Sequence, residues 1–433
     1  MLRVEAFCGI LESNRRDIRA DCEVAPRTAC VQRDATIYSS VVVTRSHLTD
    51  CAGVEAIGYG SGNSKPQVIH EDISSADSAA SVRRRTPDLT GIVGRVLVKE
   101  VNWLGDLVIS LPALRAIRAA FASSTLSVLV KKELASFFDG MIWIDEVMPY
   151  TVGRGFRGVG DRVSIVNRIR ARHFDLAILF PNSFESALWA TAGGARRRAG
   201  FLTDHRGMLL THKARPAGDA LSGHQRDYWL AMIRETIGVM PVASALEMKL
   251  EVGKLHLEKM RSWLGANRQS PGAPLIAIAP AAAYGPAKEW PLVRYAALID
   301  LLSETAGAEC VLVGAPSERN LCAQVAATTR SAAIIAAGQT DIGDLIALLS
   351  LCDGFAGNDS GAMHLAGALG IPTVGIFGST NPERTGPGGA RAGVIYHKLE
   401  CSPCLDRTCR FGHYNCLREI TPLEVARELA VLR

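Results

Sequence analysis

At 433 residues the chain exceeds the roughly 250–300 residues at which single hydrophobic cores stop growing, so at least two domains are expected. A charged fraction of 21%, an apolar fraction of 48% and a net charge of +5 describe an ordinary globular protein that can meet an anionic partner but carries no nucleic-acid-binding signature. No stretch of eighteen or more apolar residues is present, so no membrane span is expected.

Residues 1–93 differ from the rest. They hold Cys8, Cys22, Cys30 and Cys51, little periodicity, and the polar tract Ser74–Ser81 followed by Arg83, Arg84 and Arg85. This composition reads as a poorly ordered extension or a start assigned too far upstream. It lacks the charged and apolar regions of a signal peptide, which fits a cytoplasmic chain.

From Gly94 the pattern alternates strand and helix. Arg95–Lys99 reads as a strand, Leu111–Phe121 as a helix, and Leu126–Val130 and Asp175–Phe180 as further strands, which argues for a parallel sheet. Between the first strand and helix stands Trp103-Leu104-Gly105-Asp106. An acid there serves either as a helix cap or as a general base. The Gly-x-Gly-x-x-Gly of a dinucleotide-binding loop is absent from this position.

After a linker region near Ile237–Pro241 a second set begins: Leu275–Ala279, a helix over Leu292–Thr305, Cys310–Gly314, Ala333–Ile335 and Thr373–Phe377. Gly285-Pro286-Ala287-Lys288-Glu289-Trp290-Pro291 follows the first of these strands. Its lysine is therefore expected at the carboxyl end, where open α/β sheets bind ligands. A short strand ending at Gly357 then leads into Asn358-Asp359-Ser360-Gly361-Ala362-Met363-His364 and a small-residue helix. Asp359 and Ser360 are good N-cap types and Gly361 lets a ligand approach the backbone, so a phosphate fits at this helix start. A purely structural cap is the alternative.

Near the C-terminus Cys401, Cys404, Cys409 and Cys416 form a C-x2-C-x4-C-x6-C cluster close to His397 and His413. Four thiols at this density make a candidate structural zinc site, with free or redox-active thiols as the alternative.

The succession Trp-x-Gly-Asp, then Gly-Pro-Ala-Lys-x-Trp-Pro, then Asn-Asp-Ser-Gly-x-Met-His resembles the ADP-heptose:lipopolysaccharide heptosyltransferases of glycosyltransferase family 9, with the heptosyltransferase II branch the most similar. The likeness covers roughly Gly94 to Arg433. It implies an α/β chain of GT-B type, two Rossmann-like domains facing a cleft: an acceptor domain at 94–245, a nucleotide-sugar domain at 246–420, and a C-terminal helix at 421–433 packing back on the first domain. The implied activity is inverting transfer of heptose from ADP-L-glycero-D-manno-heptose to the inner core of lipopolysaccharide, in the cytoplasm and in peripheral contact with the inner membrane. Alternatives are another family 9 acceptor or a GT-B nucleotide-sugar epimerase, which would gather several acids around the cleft.

Sugar transfer from a nucleotide diphosphate needs an activated acceptor hydroxyl and a stabilised leaving group. Asp106 suits the first need, and Lys288 with the Ser360 and Gly361 amides the second. No Asp-x-Asp pair occurs, so no cofactor is expected for the chemistry. By resemblance Asp359 holds donor-sugar hydroxyls, His364 lies near the phosphates, and Thr340 and Glu318 lie near the nucleoside. A phosphorylated acceptor needs cations, for which Arg196–Arg198, His224 and Arg226 are candidates. One departure stands out: Ala281-Ala282-Ala283-Tyr284 replaces the hydroxyl or acid that the family often has before the lysine.

Overall fold

The computed structural model describes residue 89 and residues 93–433, apart from 154 and 242–245. The expected extension therefore lies almost wholly outside the described residues. Two six-stranded parallel sheets make up the rest. The first contains β1 (Arg95–Lys99), β2 (Thr125–Lys131), β3 (Glu146–Tyr150), β4 (Leu176–Leu179), β5 (Arg197–Phe201) and β6 (His212–Ala214) in the order β3-β2-β1-β4-β5-β6. The second contains β7 (Leu275–Ala279), β8 (Glu309–Leu312), β9 (Ala333–Ile335), β10 (Gly354–Asn358), β11 (Thr373–Phe377) and β12 (Ala392–Tyr396) in the order β12-β11-β10-β7-β8-β9. Counted from its own first strand, each sheet has the order 3-2-1-4-5-6 of a dinucleotide-binding fold.

The helices of eight or more residues are α1 (Leu104–Ala120), α2 (Gly155–Arg170), α3 (Phe184–Ala192), α4 (Gln225–Ile237), α5 (Lys254–Asn267), α6 (Leu292–Ala306), α7 (Arg319–Thr328), α8 (Ile342–Ser350), α9 (Gly361–Ala368) and α10 (Pro422–Leu432). The central strands are continuous apolar runs because helices cover both faces of each sheet; every residue of β4, β7, β10 and β11 is buried.

Three expectations change. The first helix starts at Leu104 rather than Leu111, with Pro112 inside it, so Asp106 belongs to the helix's first turn and not to the loop before it. Strands β3, β5, β6 and β12 were not expected: the first three carry charged residues, and β12 is a short half-buried run that includes Gly393. The last helix, expected to return to the first domain, packs on α6 and on β10, β11 and β12. Its buried Val425, Ala426 and Leu429 join Ile276, Tyr295 and Leu298 in the core of the second sheet, which is where its apolar stripe finds a matching surface.

Candidate active site

Ligands of open α/β sheets bind outside the carboxyl ends of the strands, where the strand order reverses. In the first sheet that point lies between β1 and β4, and in the second between β7 and β10. The segments leaving β1, β7 and β10 are those that carry Asp106, Lys288 and Asp359. Topology alone thus brings the three motifs to the two switch points.

Helices α1 and α9 meet through their first turns. An ideal Cβ on Gly361 would stand 2.9 Å from three Leu104 side-chain carbons, and one on Gly105 would stand 2.9 Å from His364 Cδ2. Only glycine permits so close an approach. The room expected at Gly361 for a ligand is thus taken up on one side by Leu104. The contact sets Asp106 within electrostatic reach of both Lys288 and Asp359. Burial raises the Asp106 pKa, Lys288 opposes that shift, and Asp359 adds to it. A carboxylate held above its ordinary range is a stronger base for a hydroxyl proton.

On the other wall the Lys288 ammonium pairs directly with Asp359 Oδ2. Thr380 donates its hydroxyl to the same oxygen at 2.7 Å. Both charged side chains are largely shielded, with 12% of Lys288 and 4% of Asp359 exposed, so the pair acts in a low dielectric. Neighbouring Asn358 is wholly buried and structural: its Oδ1 accepts from the Trp290 amide at 3.0 Å and the Tyr295 hydroxyl at 2.8 Å, while its Nδ2 donates to the Pro280 carbonyl at 2.8 Å. It thereby fastens the Lys288 loop to the Asp359 turn.

Ser360 is the N-cap of α9 but makes no side-chain cap; among the described residues its buried Oγ has no partner, nor has His364 Nδ1. Burial drives the His364 pKa down to about 4, so its ring is neutral, with Nε2 4.0 Å from Asp359 Oδ1. Unpartnered buried polar atoms beside a lysine and a helix N-terminus are what an oxygen-rich ligand would satisfy.

The other expected residues are spread around this centre. Glu318 Oε2 accepts from the Ala315 amide at 2.7 Å in the turn after β8. Thr340 is half-buried just before the α8 N-cap, Asp341. His224 is the N-cap of α4: Nδ1 accepts from the Arg226 amide at 3.1 Å, and Nε2 lies 3.1 Å from the Gly386 carbonyl of the second half. Both ring nitrogens are committed. Arg226 pairs with Asp227 at 3.1 Å. The Arg196–Arg198 triplet stands at the amino end of β5, the edge of the sheet away from the carboxyl ends, with Arg198 bonded to the Leu209 and Ala195 carbonyls.

Several residues near the site carried no sequence signal. Lys99, 2% exposed, donates to Asn102 Oδ1 at 3.3 Å and lies 4.9 Å from the Tyr150 ring centre; the Tyr150 hydroxyl donates to Asn102 at 2.9 Å. Burial pulls the Lys99 pKa down to about 7 and pushes that of buried Glu100 up to about 7. This network braces the loop from β1 to Asp106. Thr380 and Arg407 were likewise invisible, and Tyr284 was noted only as part of a departure, because their partners are chosen by the tertiary fold.

Cys401, Cys404, Cys409 and Cys416 line one small pocket together with His413. Although burial opposes it, backbone N–H groups of Tyr414, Phe411, Gly412 and His413 lower the Cys409 pKa, whereas burial and the neighbouring thiols push Cys416 up to about 11. Among the described residues, the group whose ligand atoms converge within 4.8 Å is instead His256, Asp341 and Asp344. There Lys259 already lies 2.5 Å from Asp344, and the second nitrogen of His256 lies 3.0 Å from Asp139. These groups satisfy one another as a hydrogen-bonded ion network, and a cation would have to displace Lys259.

Comparison with known proteins gives the family and the fold. Residues 162–415 match the family model described as glycosyltransferase family 9 (heptosyltransferase). The chain is 27% identical over 355 residues to lipopolysaccharide heptosyltransferase 2 of Escherichia coli K12, covering 78% of this chain and 98% of the relative. It is 29% identical over 353 residues to lipopolysaccharide heptosyltransferase 2 of Salmonella typhimurium LT2, covering 77% and 97%. The solved structure of E. coli ADP-heptose lps heptosyltransferase II aligns with a TM-score of 0.66 at 26% identity, covering 78% of this chain and 98% of that one. With two Rossmann-like sheets in the GT-B arrangement and a family match over more than half its length, the chain belongs to glycosyltransferase family 9, the heptosyltransferases.

Proposed function

We propose that this enzyme transfers heptose from ADP-heptose to the inner core of lipopolysaccharide, as the names of its relatives suggest. The observation that carries the reading is Asp106 in the first turn of α1, facing the Lys288–Asp359 pair across the two switch points. Residues 94–245 hold the acceptor and residues 246–420 the donor. Asp106 takes the proton of the acceptor hydroxyl as its oxygen bonds to the anomeric carbon. The bond from that carbon to the diphosphate breaks, and ADP leaves with the electron pair. Attack from the face opposite the leaving group inverts the anomeric configuration.

Lys288 and the amides of Ser360 and Gly361 receive the charge that develops on the diphosphate. Asp359, freed in part from Lys288 when the phosphates enter, accepts hydrogen bonds from the donor sugar, with Thr380 holding its carboxylate in line. His364 lies beside the phosphates as a neutral ring, and Glu318 and Thr340 border the nucleoside. Arg226 meets the anionic acceptor, while His224 aligns the start of α4 through its cap and its bond to Gly386.

The chemistry requires no metal; the four thiols are proposed as a separate structural zinc site, whose residues suit a thiophilic ion. The enzyme works in the cytoplasm at the inner face of the inner membrane without a nucleic-acid partner. Among the described residues no helix is long and apolar enough to cross a membrane.

The test offers the protein a panel of nucleotide sugars with a heptose-bearing acceptor and follows the new glycosidic linkage by NMR. Selective use of ADP-heptose with inversion supports the reading. Preference for another nucleotide sugar, or epimerised donor without transfer, would refute it.

A further inference from the structure

The charge count at the donor site is short. Lys288 is neutralised by Asp359, Asp106 adds a further acid, and His364 is neutral. Two other arginines near the cleft are engaged: Arg226 with Asp227, and Arg384 with the Leu221 carbonyl and Gln225 Oε1. A diphosphate needs more cationic charge than this.

The loop bounded by Cys404 and Cys409 offers it. Its Leu405 amide donates to the Ser379 carbonyl at 2.8 Å, one residue before Thr380. Its Arg407 carbonyl accepts from the Ala287 amide at 3.0 Å, one residue before Lys288. Tyr284 donates its hydroxyl to the Leu405 carbonyl at 2.5 Å. Gly285 (φ 142°) lets the chains touch, since a Cβ there would stand 2.6 Å from the Arg407 carbonyl oxygen. The loop is therefore stitched to both segments that carry the donor machinery.

Within it the Arg407 guanidinium lies 5.2 Å from the Tyr284 ring centre, and Lys288 Nζ lies 4.8 Å from the same centre. Arg407 is exposed, and among the described residues its guanidinium has no hydrogen-bond or ion-pair partner. Arg410, on the same loop, is already paired with Asp406 at 2.6 Å.

We propose that Arg407 is a second diphosphate-binding residue, which the cysteine-bounded loop delivers to the Lys288 loop and which the Tyr284 ring orients. This also accounts for the unusual Ala281-Ala282-Ala283-Tyr284 segment. Where the loop before the lysine lacks a polar side chain for the phosphates, its tyrosine instead aligns a cation from another part of the chain. A guanidinium offers two parallel donors to a phosphate, which suits this task better than an ammonium.

The proposal rests on the nucleoside-diphosphate reading of the cleft, and titration calorimetry on the full chain separates the two. ADP and AMP are titrated into the wild type, Arg407→Gln, Arg407→Lys and Arg410→Gln. Arg407→Gln should weaken ADP by about 10-fold, the loss of one charged hydrogen-bonded contact, while AMP, which lacks the second phosphate, changes by less than about 3-fold. Arg407→Lys, which keeps the charge but not the paired donors, should recover part of the ADP affinity, and Arg410→Gln should bind as wild type.

Unchanged ADP affinity in Arg407→Gln would overturn the proposal. So would equal losses for ADP and AMP without rescue by lysine, the mark of a merely structural role. Wild-type protein that binds UDP or GDP in place of ADP refutes the ADP-heptose reading, and the same comparison on that nucleotide then decides the role of Arg407. Binding of no nucleoside diphosphate at all overturns both.

Discussion

Asp106, Lys288 and Asp359 divide the work of one reaction, and their substitutions should separate it. Asp106→Asn preserves shape and removes the base, so it should keep donor affinity yet lower kcat by roughly 100-fold or more. Near-normal turnover in that variant would exclude Asp106 from proton transfer. Lys288→Ala should raise the ADP-heptose KM and lower kcat together, because its charge faces the diphosphate in both ground and transition states; unchanged values would remove it from the site. Since burial raises the Asp106 pKa and the base acts deprotonated, kcat/KM should rise with pH through an acid limb lying above the ordinary aspartate value of about 4. A limb at or below that value would contradict the desolvated base. These three residues were legible in the sequence because each follows a strand in a motif of glycine and turn residues. Thr380 and Arg407 were not, since nothing local distinguishes them from surface residues until β11 and the cysteine loop fold against the Lys288 loop, and Tyr284 was marked only as a departure without a role.

The helix pair α1 and α9 fixes the distance between the two walls of the site, and its contact is glycine on leucine and glycine on histidine. Gly361→Ala sets a methyl against Leu104, whose Cβ cannot swing away, so despite a better helix former it should destabilise the protein by about 1–3 kcal/mol and lower turnover. Denaturant unfolding and kinetics measure the two effects, and a more stable, fully active variant would contradict the packing argument. The buried strands β7 and β11 were read from their apolar runs to the residue, and β10 to within one residue of its end. Strands β3, β5, β6 and β12 were not. β3 carries Pro149, tolerable at the edge of a sheet, and β5 begins with Arg197 and Arg198, which read as a solvated run because their pairing with β4 and β6 leaves no apolar signature. The sequence places the start of α1 at Leu111, which would put Pro112 in a tolerated first-turn position; in the structure Pro112 falls at the midpoint of the helix.

The two halves are tied by charge as well as by packing. His256 on α5 lies 2.8 Å from Asp344 at the start of α8 and 3.0 Å from Asp139 of the first half. Burial alone would lower its pKa, but bonds to Asp344 and Asp139, with Asp341 nearby, leave it raised. A raised histidine contributes stability that is fully present below its unfolded pKa of about 6.5 and is lost as pH rises through the folded value. The Tm difference between wild type and His256→Gln should therefore be largest near pH 6 and shrink toward pH 9, whereas a pH-independent difference would assign the residue a packing role only. This bridge was not legible beforehand, since its members are 117 and 88 residues apart in sequence.

The central claim, metal-independent heptosyl transfer, is tested most directly by incubating the full chain with ADP-heptose and a truncated heptose-bearing lipooligosaccharide in excess EDTA and weighing the product. The account predicts acceptor heavier by one heptosyl unit, formed at the rate seen without chelator. Acceptor of unchanged mass in EDTA, with transfer restored by magnesium or manganese, would contradict it.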